Sequence, residues 1–169
     1  MKKEQIKKIT YTGLFAALIF LAVYVIRVPI GANGSYIHFG DAIIYLAAVM
    51  LPLPYAMVAA AIGAGLSDVL APGGMVWLPA TLIIKPLLCL AFSRNGQGIV
   101  SKRNIAALFI GGGITIVGYA LAAFFLFGNI ASSIAELPIS LVQSAGSGLL
   151  FIVLGKLLYK VTKGHALVG

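Results

Sequence analysis

Charge is what this sequence has least of. Only 9% of its 169 residues are charged, against 61% hydrophobic, whereas a soluble domain carries about 25% charged residues. So little charge cannot cover a water-facing surface. Residues 1–169 are therefore expected to form a single transmembrane domain with little material outside the bilayer. Cysteine occurs once, as Cys89 inside an apolar run. A disulfide framework and a Cys-based metal cluster are excluded, and Cys89 reads as a small buried hydrophobe. The sequence has no G-x-x-x-x-G-K-[ST], so no P-loop for ATP, and no G-x-S-x-G, H-E-x-x-H or C-x-x-C. His38 and Asp41 form an H-x-x-D pair, but a metal would need two more ligands, and His165 lies on the C-terminal tail. Neither a metal nor a cofactor is expected.

The charge that is present is placed. Net charge is +8, and ten of the twelve basic residues fall in three short segments flanking apolar runs: Lys2 to Lys8, Arg94 to Arg103, and Lys156 to Lys163. That arrangement follows the positive-inside rule and suits anionic lipid heads, not nucleic acid. The start resembles a signal peptide, but the uncharged stretch from Ile9 to Ile26 covers 18 residues. It is long enough to span, so a retained first helix is expected.

Six helices fit the apolar runs and their breakers: about Ile9–Val28, Phe39–Leu51, Tyr55–Leu70, Val76–Phe92, Ile105–Phe127 and Pro138–Lys160. Pro29, "LPLP" (Leu51–Pro54) and "APGG" (Ala71–Gly74) separate the first four, with Gly31, Asn33 and Gly34 as turn formers after the first. The fold class is an all-α integral membrane protein with six transmembrane helices and both termini cytoplasmic. The loops Pro29–His38, Ala71–Met75 and Gly128–Leu137 are then outside, and they contain no Lys or Arg.

Asp41 and Asp68 bracket 26 uncharged residues. Helices two and three run antiparallel, so both acids fall near the outer ends of the pair. Helix two has only 13 residues, about 20 Å, short of a hydrocarbon core of about 30 Å, so Asp41 should line a recess. Lys85, deep in helix four, is the third intramembrane charge, with Asp68 and Asp41 as its expected counter-charges. Asp68–Lys85 reads either as a structural ion pair or as part of a ligand site. Tyr36, His38, Phe39 and Trp77 offer flat faces with polar handles. Helix six brings Gln143 and Ser147 to one face, and Ser140 and Ser144 to an adjacent one. The serines also suit interhelical hydrogen bonding. Aromatic planes with a few convergent polar groups suit a small heterocycle. On helix one, Thr12, Gly13, Ala16 and Ala17 would let another helix approach closely, either within the bundle or from a partner. Gly111, Gly112, Gly113, Gly146, Gly148 and Gly155 read as internal packing positions.

The ordered set "TGLFAAL", "YIHFGDAIIYLA", "GLSDVLAP" and "PATLIIKPL" resembles the substrate-binding S component of energy-coupling factor (ECF) vitamin transporters, over essentially the whole chain. The subgroup it looks most like includes riboflavin and pyridoxine or hydroxymethylpyrimidine binders. The resemblance implies a subunit of the prokaryotic cytoplasmic membrane that captures a vitamin outside, under the loop between helices one and two. It implies docking through helix one to a membrane coupling subunit served by two cytoplasmic ATPases, and toppling to deliver substrate. The residues expected to bind substrate are Tyr36, His38, Asp41, Asp68, Trp77, Lys85, Gln143, Ser144 and Ser147. Thr12, Gly13, Ala16 and Ala17 are expected at the partner interface. Pyridoxine or hydroxymethylpyrimidine is preferred on resemblance, with riboflavin as the alternative. A stand-alone carrier or a small intramembrane enzyme, such as a hydrolase using a His–Asp base and a serine, are the alternatives of other classes.

Overall fold

The computed structural model describes residues 3–30, 35–93 and 98–162. Gly31, Asn33 and Gly34, Arg94, Lys2, Lys163 and His165 lie outside that set. Six α-helices form the body: α1 (Lys3–Tyr24), α2 (Gly40–Met50), α3 (Leu53–Leu70), α4 (Leu78–Ala91), α5 (Lys102–Phe127) and α6 (Ile130–Thr162). A two-residue ladder, β1 (Val28–Pro29) with β2 (Tyr36–Ile37), joins α1 to α2. Four helices, α1, α3, α5 and α6, are long and apolar enough to cross a membrane.

The bundle wears its apolar residues outward. Phe109, Phe125, Leu149 and Val153 are all strongly exposed, an arrangement tolerable only where lipid replaces water. On α1 the buried residues Thr12, Phe15, Ala16, Ile19 and Val23 recur at helical spacing, while Leu14, Leu18 and Leu21 face out. Lipid is as apolar as leucine, so close packing holds such helices together rather than transfer out of water. Gly63 of α3 shows the principle: a Cβ there would lie 2.5 Å from the Ala16 carbonyl oxygen. A Cβ at Gly146 of α6 would lie 2.5 Å from the Phe39 ring. Gly113, by contrast, has no neighbour within 4 Å, so it does not belong to the internal packing expected of it.

Helix α2 is the axle. Every residue of it except Ile43 is buried, as a helix apolar on all sides requires. Its 11 residues span about 17 Å, so it ends well inside a core of about 30 Å. Leu51 turns the chain, and α3 begins with proline in its first turn, where the missing N–H costs nothing. At the end of the bundle away from the ladder, Tyr45 stacks on Phe92 (4.5 Å between ring centres) and Phe151 meets both edge-on.

The sixth helix departs most from expectation. It begins at Ile130, so most of the expected outer loop Gly128–Leu137 is helical. Gly128 caps α5 in the left-handed region (φ 68°), and the Asn129 side chain accepts the Ser132 N–H at 2.8 Å. These are a C-cap and an N-cap set back to back. Pro138 sits inside the helix instead of starting it. At 33 residues, α6 is about 50 Å long. Its first turns reach past the bundle to the ladder. The first helix also ends earlier than expected, at Tyr24, because Val28 and Pro29 pair with Ile37 and Tyr36.

Candidate functional site

The ladder closes one end of the bundle through three contacts. The Ser35 hydroxyl donates to Glu136 of α6, and the Tyr36 hydroxyl donates to Asp68 of α3. The Arg27 guanidinium lies 3.4 Å above the Tyr36 ring, a cation–π stack. Beside them His38 is buried, 3% exposed. Its Nδ1 accepts the Gly40 N–H at 3.0 Å, which leaves the ring proton on Nε2. Burial, with a further push from the Lys85 ammonium, lowers the His38 pKa to about 3.

Beneath this roof lies a buried polar spine that ties three helices. Lys85 Nζ of α4 contacts Asp41 Oδ1 of α2 at 2.7 Å, and Gln143 Nε2 of α6 donates to Asp41 Oδ2 at 3.0 Å. Lys85 and Asp41 are 1% and 0% exposed. The ammonium also sits 4.9 Å from the Tyr119 ring centre. Lys85 therefore pairs with Asp41 and not with Asp68, and this is the one ion pair among the described residues. The reason is rotational. Both acids are at similar depth, but Asp41 turns toward α4 and α6, while Asp68 turns toward the ladder and takes the Tyr36 hydroxyl.

Between roof and spine is a chamber of about 30 Å³. Tyr36, His38, Trp77 and Tyr119 provide its aromatic walls, and Ser35, Glu136, Ser140 and Gln143 its polar ones. Trp77 packs edge-on to Phe127, 5.5 Å between centres. Its buried Nε1 donates to no group among the described residues. Tyr119 and Thr81 share a hydroxyl hydrogen bond of 3.1 Å. Of the residues expected from sequence, Tyr36, His38, Trp77 and Gln143 line the chamber, Asp41 and Lys85 underlie it, and Asp68 anchors its roof. Ser144 instead faces Gly112 on α5, where a Cβ would lie 3.6 Å from its own, and Ser147 is buried outside the lining. Sequence reasoning missed Glu136, Ser35, Thr81 and Tyr119. Glu136 was hidden in a stretch read as loop, and Tyr119 in an uninterrupted apolar run.

A second, wider concavity of about 620 Å³ lies along α1 and α3, nearly all apolar. Thr12, Gly13, Ala16 and Ala17 all border it, but they divide by role. Thr12 and Ala16 are buried, Ala16 against Gly63. Gly13 and Ala17 are exposed, and a Cβ at Gly13 would meet nothing within 4 Å.

Comparison with known proteins gives a consistent result. The family model of the S component of ECF-type riboflavin transporters matches residues 3–160. A protein of Pyrococcus woesei, described as an uncharacterized protein in a gap 3′ region, is 30% identical over 134 residues, 76% of this chain and 88% of that one. The solved structure of the S component of a bacterial ECF transporter superposes with a TM-score of 0.73 at 18% identity, covering 94% of this chain and 99% of that one. The S component for biotin from an ECF-type ABC transporter superposes at 0.59 with 17% identity, covering 94% of each chain.

Proposed function

We infer the function from the premise that this chain belongs to the family of S components of ECF-type riboflavin transporters. It is the vitamin-binding subunit of such a transporter and a multi-pass membrane protein. Its substrate is a small water-soluble heterocycle of pyridoxine or hydroxymethylpyrimidine size, held in the chamber between the ladder and the Asp41–Lys85–Gln143 spine. The observation that carries this reading is that spine: three polar side chains converge under aromatic walls, at 2.7 and 3.0 Å, deep in an apolar bundle. Intramembrane charges so placed mark binding sites, and few-but-convergent polar groups in an aromatic chamber suit a flat ring.

The bundle lies in the cytoplasmic membrane of a prokaryotic cell, crossed by α1, α3, α5 and α6 with the shorter α2 and α4 inside it, both termini inside and the ladder outside. Support comes from Lys3, Lys7, Lys8, Lys102, Arg103, Lys156 and Lys160, which all fall at the end of the bundle opposite the ladder. That inner end is filled by Tyr45, Leu88, Phe92 and Phe151, all buried, which favours capture over a stand-alone channel. The chamber is about 30 Å³, too small for a vitamin as it stands. Vitamin therefore enters as the ladder lifts, exchanging the Ser35–Glu136 and Tyr36–Asp68 contacts for ligand. Riboflavin, named by the family description, is the second reading.

The exposed Gly13 and Ala17 stripe receives a helix of the membrane coupling subunit, and two cytoplasmic ATPases supply the energy this chain has no motif to supply. Gly13→Leu or Ala17→Leu should abolish vitamin uptake and co-purification of the coupling subunit. Vitamin binding to the isolated chain should stay within about twofold, since no chamber residue is touched and small-residue contacts serve helix approach. Equal loss of binding and uptake would sink this docking assignment.

A further inference from the structure

The charges around the chamber do not balance, and the imbalance has an address. Asp41 is neutralised by Lys85 at 2.7 Å. Asp68 has no ion pair either, but it is occupied by the Tyr36 hydroxyl as an anchor of the roof and feels the Arg27 and Lys85 charges. Glu136 differs in facing the chamber with no such cation acting on it. It is 5% exposed and lines the chamber, yet no Lys or Arg pairs with it among the described residues. The one hydrogen bond it accepts there comes from the neutral hydroxyl of Ser35. A carboxylate taken out of water without a counter-charge is costly. On the same chamber wall system, the Trp77 indole N–H is buried and unpartnered, and an indole N–H can only donate.

The two groups together specify an occupant. It must offer donors to a carboxylate on one edge, an acceptor to an indole N–H on another, and a flat body between Tyr36 and Tyr119. We propose that Glu136 is the specificity-determining residue of the chamber and that the substrate is an amino-substituted nitrogen heterocycle. Its exocyclic amine and protonated ring nitrogen lie along the Glu136 carboxylate as a two-pronged donor. This geometry is the one a guanidinium uses toward a carboxylate. A ring oxygen or unprotonated nitrogen accepts from Trp77. The inference rests on the vitamin-capture reading and names the substrate class within it.

The test uses the full chain, purified in detergent and stripped of ligand. Four probes are titrated: 4-amino-5-hydroxymethyl-2-methylpyrimidine, its 4-hydroxy counterpart of equal size, pyridoxine and riboflavin. The amino compound should bind roughly ten- to a hundredfold tighter than the 4-hydroxy compound, the range of one charged hydrogen bond. Glu136→Gln should erase that preference, and Glu136→Asp, which keeps the charge, should retain it in direction. Thermal unfolding of each variant checks that it is folded; should Glu136→Gln not fold, the wild-type and Glu136→Asp titrations decide. A wild-type chain that ranks the 4-hydroxy compound equal or better overturns the proposal, as does a folded Glu136→Gln that keeps the full amino preference. If pyridoxine or riboflavin binds best and Glu136→Gln does not alter it, vitamin capture stands and this inference falls. If a folded wild-type chain binds none of the four, both fall.

Discussion

Replacing Lys85 with methionine removes the only cation that pairs with Asp41 among the described residues. Methionine fills much of the lysine stem's volume, so packing changes little and the perturbation is electrostatic. Asp41, 0% exposed, would keep one donor, Gln143 Nε2 at 3.0 Å. Breaking a buried pair from one side costs about 3–5 kcal/mol, and the surviving amide bond argues for the lower end. For a chain of this length, each kcal/mol moves the melting temperature by about 2–4 °C, so Lys85→Met should lower it by roughly 10 °C. Lys85→Met combined with Asp41→Asn should recover most of the loss, because a buried pair replaced on both sides is often neutral in stability. The cycle should give a coupling of at least about 2 kcal/mol. Trp77, the only tryptophan in the sequence, reports unfolding from inside the site by its fluorescence in detergent. A Lys85→Met chain as stable as the wild type, or a double variant no more stable than Lys85→Met, would refute the spine as an electrostatic unit.

Two further outcomes follow from the roof and the topology. His38 is neutral when folded, with its pKa lowered to about 3 from an ordinary value near 6.5. Its contribution is complete above pH 6.5 and is lost as pH falls toward 3, because the unfolded chain takes up the proton first. By pH 5 the loss should reach about 2 kcal/mol, and a denaturation series in which His38→Gln keeps the same slope between pH 6.5 and 5 would contradict this. Cysteine introduced at Asn129, beside the ladder end, should react with an impermeant thiol reagent added outside cells, and cysteine at Lys102 should not; the native Cys89 is buried and silent. Reversed labelling would invert the placement of the chamber.

Composition and punctuation carried most of the architecture. Charge scarcity, basic clusters and the proline breaks located six helices because each reflects a one-dimensional property of the chain: hydropathy, or the loss of a backbone N–H. Depth along a helix was equally legible, which is why Asp41, Lys85 and Gln143 were candidates together. Rotation about the helix axis was not. Each residue turns the helix by about 100°, and the facing partner is fixed only by packing, so Asp41 and Asp68 could not be ranked as the partner of Lys85. The same limit divided Thr12 and Ala16 from Gly13 and Ala17, one residue around the helix. Glu136 was lost for another reason. Pro138 suggested a helix start, whereas the earlier cap, Asn129 accepting from Ser132, was the better signal. Ser35 and Tyr119 meet the chamber through contacts more than 30 residues apart in sequence, and no local pattern marks them.

What occupies the chamber in cells tests vitamin capture most directly. The chain should be purified from its native membrane, denatured, and the released small molecules identified and counted by mass spectrometry. Vitamin capture predicts a water-soluble heterocycle of single-ring size at close to one per chain. It also predicts that Asp41→Asn, folded but no longer holding the chamber residue Gln143 by a charged hydrogen bond, loses affinity and releases far less. A folded wild-type chain that releases no heterocycle, or an Asp41→Asn chain that releases as much as the wild type, would contradict the placement of the site on this spine.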